Sequence, residues 1–329
     1  MEYKFFDYET FIAKQTEKRA LKRTALAIGL SIITYFLSTF VVNYLLFAPT
    51  LYLLDRVTTI EMYDVVYECY TILSYMLPII LSALPIIFIV RIPFRVAFPI
   101  RRVPARVSIP AVMTIFGCTT IGITITAVLL SIFSSTGLNY DVPSPAVPQT
   151  TIGLVLYFVH ISVLPAFLEE FLSRGLILQS LRRFGDWFAI IISALVFALT
   201  HANFLQLSNA FILGIALGFV TVRTGSIAVG MVFHFLNNFI ISAIDIFITP
   251  NVNMVNASIV NLAYLGICFL MAVIGGSILI STVPGFFELR KPDSPLTRGE
   301  RTKAFFLQPV SLTALLLLFG FCFKFFGLW

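Results

Sequence analysis

The sequence predicts an all-α integral membrane protein, a bundle of about eight or nine transmembrane helices. Three observations predict this fold: 59% of the 329 residues are hydrophobic, only 12% are charged, and the hydrophobic residues are gathered in long runs. Soluble globular chains are nearer half apolar and a quarter charged. Because a membrane-spanning helix needs about 20 apolar residues, a chain of this length is expected to form one helical bundle rather than two soluble domains.

Nine apolar runs can be followed along the chain, and each is a predicted helix. Their approximate bounds are 25–48, 67–90, 110–135, 151–172, 187–203, 206–222, 226–248, 258–283 and 306–328. The fourth helix is expected to continue to about Arg183. The chain then divides into a cytoplasmic N-terminal segment at 1–24, N-terminal transmembrane helices at 25–135, a central core at 151–248 and C-terminal transmembrane helices at 258–329.

The basic residues predict the orientation of the bundle. If the helices alternate from a cytoplasmic N-terminus, every Lys and Arg falls on the cytoplasmic side except Arg56 and Lys324. Such a bias is typical of the cytoplasmic loops of membrane proteins. The net charge of +6 therefore reflects contact with membrane lipids and does not indicate a nucleic-acid partner. The four cysteines form no disulfide framework, which suits a multi-pass protein of a bacterial plasma membrane.

Polar residues interrupt three of the apolar runs, although a charged residue at mid-helix costs about 3 kcal/mol. These residues are Glu169, Glu170 and Arg174 in the fourth run, His201 in the fifth, and His234, Asn237 and Asn238 in the seventh. Counting about 1.5 Å per residue from the nearest charged flank places Glu169, His201 and His234 about 16–22 Å from the cytoplasmic interface. The sequence therefore predicts that these side chains meet in one layer.

Helical geometry separates the two neighbouring glutamates. Glu170 and Arg174 are four residues apart and about 40° apart around the helix, which favours an ion pair. Glu169 lies about 140° from Arg174 and is expected to face a cavity. A carboxylate in an apolar pocket is a stronger base than one in water, because desolvation disfavours its charged form. Glu169 is thus a candidate general base toward water.

His234 and Asn238 share a helix face, and both can donate a hydrogen bond to a developing oxyanion. His201, on a third helix, could orient or bind the water. These predictions come from residue type and spacing alone.

Three motifs resemble those of a known family. They are EExxxR at 169–174, FxxxH from Phe197 to His201, and HxxxN from His234 to Asn238. Together and in this order they resemble the CAAX protease and bacteriocin-processing family, also called the Abi family, which includes the type II CAAX prenyl endopeptidase of eukaryotes. The resemblance covers about residues 160–240.

The resemblance implies an intramembrane endopeptidase that cleaves a peptide or a lipidated protein near the cytoplasmic leaflet. In this family Glu169 and His201 would activate water, while His234 and Asn238 would form the oxyanion site. Glu170, Arg174 and Phe197 would support these residues structurally.

Several alternatives stay open at this stage. Zinc or another divalent metal would require three protein ligands, for which Glu169, His201 and His234 are the candidates. The chain could also be a non-catalytic bacteriocin self-immunity or scaffold protein, or a membrane transporter. A transporter would be expected to spread titratable groups across the membrane and to contain repeated halves. The sequence predicts neither the substrate nor the oligomeric state.

Overall fold

A computed structural model describes residues 8–137, 146–290 and 292–323, and these residues contain helices but no β-strand. The helices, numbered in chain order, are α1 (Tyr8–Leu54), α2 (Ile60–Val90), α3 (Phe94–Ala97), α4 (Ala105–Ser135), α5 (Thr151–Phe184), α6 (Asp186–Thr200), α7 (Phe204–Thr224), α8 (Ala228–Asn251), α9 (Met254–Thr282), α10 (Arg298–Phe306) and α11 (Pro309–Phe321). The all-α prediction is confirmed.

Within the described ranges, seven helices are long and apolar enough to cross a membrane, namely α1, α2, α4, α5, α7, α8 and α9. The pair α10 and α11, bent by 75°, makes an eighth if it counts as one span. This agrees with the predicted polytopic membrane bundle. Lys324 and the ends of the predicted 1–24 and 258–329 regions lie outside the described residues.

Two predicted elements differ from the structure. The fifth apolar run forms α6, which has 15 residues. Its length of about 22 Å is less than the roughly 30 Å of a bilayer core. The first helix begins at Tyr8 instead of near residue 25, because the preceding Glu, Lys, Arg and Ala residues are good helix formers. Buried Glu17 accepts a 2.6 Å hydrogen bond from Nη2 of Arg183, which ties this polar extension to the end of α5.

Helix α5 changes its winding around the two glutamates. Residues Val159–Val163 and Phe171–Ile177 are π-helical, and Leu164–Glu170 between them is α-helical. Pro165, which lacks an N–H, opens the α-helical stretch. Short π-helical segments inside α-helices frequently occur at functional sites. The carbonyl of Ile161, whose α-helical donor would be the absent N–H of Pro165, accepts a hydrogen bond from another helix.

Helices α6 and α7 form a tight antiparallel hairpin. A Cβ atom added at Gly214 of α7 would lie 2.9 Å from the Cα of Ala194 in α6, so this contact requires glycine. The turn of the hairpin contains His201, and then Ala202 with a left-handed backbone at φ 47°. Asn203 caps the start of α7 by accepting from the backbone N–H groups of Leu205 and Gln206. The close packing and the cap fix the position of His201.

Two apolar clusters surround the centre of the bundle. One joins residues of α1, α2, α5, α6 and α11, and the other joins residues of α4, α7, α8 and α9. The predicted site residues come from α5 and α6 in the first group and from α8 in the second. The polar site thus lies where the two halves of the bundle meet.

Candidate active site

A cavity of about 500 Å³ lies between α4, α5, α6, α7 and α8. The four side chains with predicted catalytic roles, Glu169, His201, His234 and Asn238, all line it. Phe197, Gln206 and Asn209 are also in its wall. Gln206 and Asn209 were missed by the sequence reasoning, although their i,i+3 spacing in an otherwise apolar helix would have placed both on one face.

The predicted Glu170–Arg174 ion pair is present in the structure. Nη1 of Arg174 donates to Oε1 of Glu170 at 2.8 Å, and both side chains are completely buried. The guanidinium carbon of Arg174 lies 4.2 Å from the centre of the Phe197 ring. Nη2 of Arg174 also donates to the carbonyl of Gly214 at 3.4 Å. Arg174 thereby links α5 to both helices of the hairpin.

His234 is a second partner of Glu170, which the sequence did not predict. Nδ1 of His234 lies 3.0 Å from Oε1 of Glu170. An ionised carboxylate only accepts, so Nδ1 is the donor. The opposite ring nitrogen, Nε2, lies 3.8 Å from Oε2 of Glu169. One imidazole therefore lies between the two glutamates, and Glu170 orients its ring.

The tautomer of His201 follows from its backbone contact. Nδ1 of His201 lies 2.8 Å from the carbonyl oxygen of Phe197. Because a carbonyl cannot donate, Nδ1 carries the proton and Nε2 of the neutral ring is an acceptor. The Phe197 ring packs edge-on against both imidazoles, with centroids 4.9 Å from His201 and 6.0 Å from His234. Phe197 therefore supports both rings from one side.

The two oxygens of the Glu169 carboxylate have different surroundings. Oε1 accepts a 2.7 Å hydrogen bond from the hydroxyl of Tyr75 in α2. Oε2 is buried and has no hydrogen-bond partner among the described residues. Glu169 also borders a second cavity of about 220 Å³, whose polar lining includes Tyr35, Tyr75, Thr200 and His201. The contact with Tyr75 was not predicted, because a tyrosine in an apolar run is usually a packing residue.

A short chain of hydrogen bonds fixes Asn238. Its Nδ2 donates to the carbonyl of Ile161 at 3.1 Å, and its Oδ1 accepts from Nδ2 of Asn237 at 3.3 Å. Oδ1 of Asn237 accepts in turn from the hydroxyl of Thr119 in α4 at 3.2 Å. An amide nitrogen carries two hydrogens. A role in oxyanion binding would thus fall to the second N–H of Asn238.

The sequence predicted that the titratable side chains would lie in one layer, but α2 carries two buried carboxylates outside this cavity. Asp64 accepts from the backbone N–H groups of Gln149 and Thr150 before α5. Oε2 of Glu68 lies 3.7 Å from Nδ1 of His160 in α5. Neither carboxylate was predicted, because Asp64 precedes the apolar run at 67–90 and Glu68 lies at its edge. These groups connect α2 with the N-terminal half of α5.

The alternative metal set does not form a ligand group. Among the residues that the structure describes, no three or more His, Cys, Asp and Glu side chains are arranged to hold an ion. A catalytic zinc takes three protein ligands, and Glu169, His201 and His234 do not meet this requirement.

Comparison with protein families identifies a match over the central part of the chain. Residues 151–240 match the family described as type II CAAX prenyl endopeptidase, Rce1-like. The matched segment runs from the start of α5 into α8 and contains all three motifs, so the resemblance that they indicated is confirmed for this segment. Neither a curated protein nor a solved structure matched the chain.

Proposed function

We propose that this protein is a membrane-embedded endopeptidase that hydrolyses a peptide bond in a peptide or lipidated protein. The observation that carries the proposal is the free oxygen of Glu169, which lies 3.8 Å from Nε2 of His234 in the wall of the 500 Å³ cavity. The match of residues 151–240 to the Rce1-like endopeptidases supports a protease. The site combines a base, two imidazoles and an amide, which suits hydrolysis of a carbonyl compound.

In the proposed reaction, a water molecule is held between Oε2 of Glu169 and Nε2 of His201. Glu169 takes a proton from this water as the water oxygen attacks the carbonyl carbon of the scissile bond. The electron pair of the carbonyl moves to its oxygen, forming a tetrahedral oxyanion. When this intermediate collapses, the C–N bond breaks, and Glu169 returns the proton to the leaving amine. The products are one carboxyl terminus and one amino terminus.

The oxyanion is proposed to accept hydrogen bonds from Nε2–H of His234 and from the second N–H of Asn238. Since Nδ1 of His234 already donates to Glu170, this role requires a doubly protonated imidazole ring. The position of His234 between Glu169 and Glu170 suits a positive charge. Arg174, paired with Glu170 at 2.8 Å, balances the second carboxylate.

The two cavities suggest separate routes for the reactants. Glu169, Phe197 and His201 line both, and so form the wall between them. We assign the substrate chain to the larger cavity and water to the smaller one, which at about 220 Å³ has room for several water molecules. The site is proposed to open toward the cytoplasmic leaflet of a bacterial plasma membrane. Arg182 and Arg183 at the end of α5 and Arg223 at the end of α7 support this orientation.

The experiment is cleavage of a peptide library by the purified protein in lipid nanodiscs, followed by mass spectrometry. The library includes farnesylated CaaX peptides, and a Glu169→Ala variant is assayed beside the wild type. Cleavage by the wild type alone supports the proposal. A folded wild type that cleaves no peptide would contradict it and favour an immunity, scaffold or transport function.

A further inference from the structure

Helix α2 contributes a side chain to the site from outside the segment that matches the endopeptidase family. Tyr75 lies at the middle of α2, 15 residues from Ile60 and 15 from Val90. Its hydroxyl donates to Oε1 of Glu169 at 2.7 Å, although the two residues are 94 positions apart in the sequence. At about 1.5 Å per residue, Tyr75 is about 22 Å from either end of its helix. The contact is therefore made deep in the bundle.

The hydrogen bond makes the two oxygens of Glu169 unequal. Oε1 is occupied by Tyr75, whereas Oε2 is the oxygen near Nε2 of His234 and lacks a hydrogen-bond partner among the described residues. Hydrogen bonds to an ionised group are shorter and stronger than neutral ones. A phenol at this distance holds the carboxyl group in one orientation and leaves only Oε2 for water.

Tyr75 is itself held in place by its neighbours. Its ring packs edge-on against His160, with centroids 5.7 Å apart, and Nδ1 of His160 lies 3.7 Å from the buried carboxylate of Glu68. Two turns further along α2, the carbonyl of Ser82 accepts a 2.6 Å hydrogen bond from the hydroxyl of Ser31 in α1. These contacts fix both the ring and the helix that carries it, so the phenol is a rigid donor.

We propose that Tyr75 is a positioning residue that orients Glu169 and selects Oε2 as the base. This inference rests on the proposed function, because it specifies how the same carboxylate acts. It also explains why a membrane helix outside the matched segment carries a hydroxyl at this depth. A tyrosine that only filled space could be replaced by phenylalanine with no effect on the reaction.

The test compares Tyr75→Phe with Tyr70→Phe, a control on the same helix. The hydroxyl of Tyr70 donates to Asn43 at 3.0 Å, away from the site. Loss of a hydrogen bond to a charged group is expected to lower kcat roughly ten- to hundredfold in Tyr75→Phe. KM should stay within about twofold, because the bond does not contact the substrate.

A second measurement does not depend on activity. The infrared difference spectrum between wild type and Glu169→Gln isolates the carboxylate band of Glu169. This band should shift in Tyr75→Phe and stay in place in Tyr70→Phe. If the wild type cleaves no peptide, the proposed function fails, and the infrared band still decides on the Tyr75 contact. An unchanged kcat and an unchanged carboxylate band in folded Tyr75→Phe would overturn the inference.

Discussion

Nδ1 of His234 and Oε1 of Glu170 lie 3.0 Å apart, deep in the bundle, and join α8 to α5. The other nitrogen of the same ring lies 3.8 Å from Oε2 of Glu169. Adjacent glutamates on one helix therefore contact opposite sides of one imidazole. Since Glu170 also pairs with Arg174, its role in the site is structural. Oε2 of Glu169 has no hydrogen-bond partner among the described residues and is the oxygen proposed to act as the base.

The first prediction concerns Glu170. We expect Glu170→Gln to lower the free energy of unfolding by about 3 kcal/mol, because breaking a buried ion pair leaves the Arg174 charge uncompensated. Activity should also fall, since the ring of His234 loses its anchor. Thermal unfolding in detergent and peptide cleavage measure the two effects. The control is Glu300→Gln, which removes an exposed 3.6 Å contact with Lys14 and should change neither. Equal stability of wild type and Glu170→Gln would contradict the account.

Replacement of His201 should impair the reaction without unfolding the protein. His201→Ala removes the acceptor that is proposed to orient water, and kcat is expected to fall by about 10²–10⁴-fold. KM should change little, because the role proposed for His201 is to hold water and not the substrate. Steady-state kinetics on one cleaved peptide checks this prediction, and a large rise in KM with unchanged kcat would assign His201 to substrate binding instead.

Asn238 is expected to act in the transition state. Asn238→Ala should reduce kcat by about 10²–10³-fold, the typical effect of losing one oxyanion donor. Asn237→Ala serves as its comparison, because Asn237 contacts Asn238 and Thr119 and has no proposed contact with the oxyanion. The kcat of Asn237→Ala should fall less than that of Asn238→Ala. If Asn237→Ala proves the more damaging change, the oxyanion role of Asn238 is wrong.

The hairpin that carries His201 depends on close packing at Gly214. Gly214→Ala would place a methyl group 2.9 Å from the Cα of Ala194 and should destabilise the protein by about 1–3 kcal/mol. Gly266→Ala in α9 is the matched control, because nothing lies within 4 Å of the added Cβ. It should be neutral or stabilising by up to about 1 kcal/mol. Unfolding midpoints of the two variants decide between steric and helix-propensity effects.

Removal of metal ions should leave the activity unchanged. The described residues provide no group of three metal-binding side chains, and the proposed reaction uses side chains alone. Cleavage is therefore expected to be equal before and after treatment with EDTA or 1,10-phenanthroline. Activity that disappears on chelation and returns with added zinc would require a rearranged set of Glu169, His201 and His234.

Spacing was sufficient to predict part of this structure. The i,i+4 relation of Glu170 and Arg174 gave their ion pair, and the similar depths of Glu169, His201 and His234 agree with their shared cavity. Both relations depend on helix periodicity and apolar run length, which a single sequence contains. The catalytic roles of these residues stay predictions.

Other features depend on three-dimensional contacts that leave no local pattern. Tyr75 meets Glu169 only because α2 packs against α5, and a tyrosine in an apolar run looks like any packing residue. The π-helical segments of α5 were equally hidden, since the register change arises from packing around Pro165 and the polar pairs. Glu68 was missed because it lies near the predicted start of its helix, where charged residues are common.

The central claim is that Glu169 is the base of a hydrolytic reaction, and the most direct test compares two glutamine variants in lipid bilayers. Glu169→Gln removes the proposed base, whereas Glu17→Gln alters another buried carboxylate, which pairs with Arg183 and lies outside the cavity. Single-turnover cleavage of one peptide should fall by at least about 10²-fold in Glu169→Gln and remain near the wild-type rate in Glu17→Gln. Cleavage at the wild-type rate by folded Glu169→Gln would contradict the proposed mechanism.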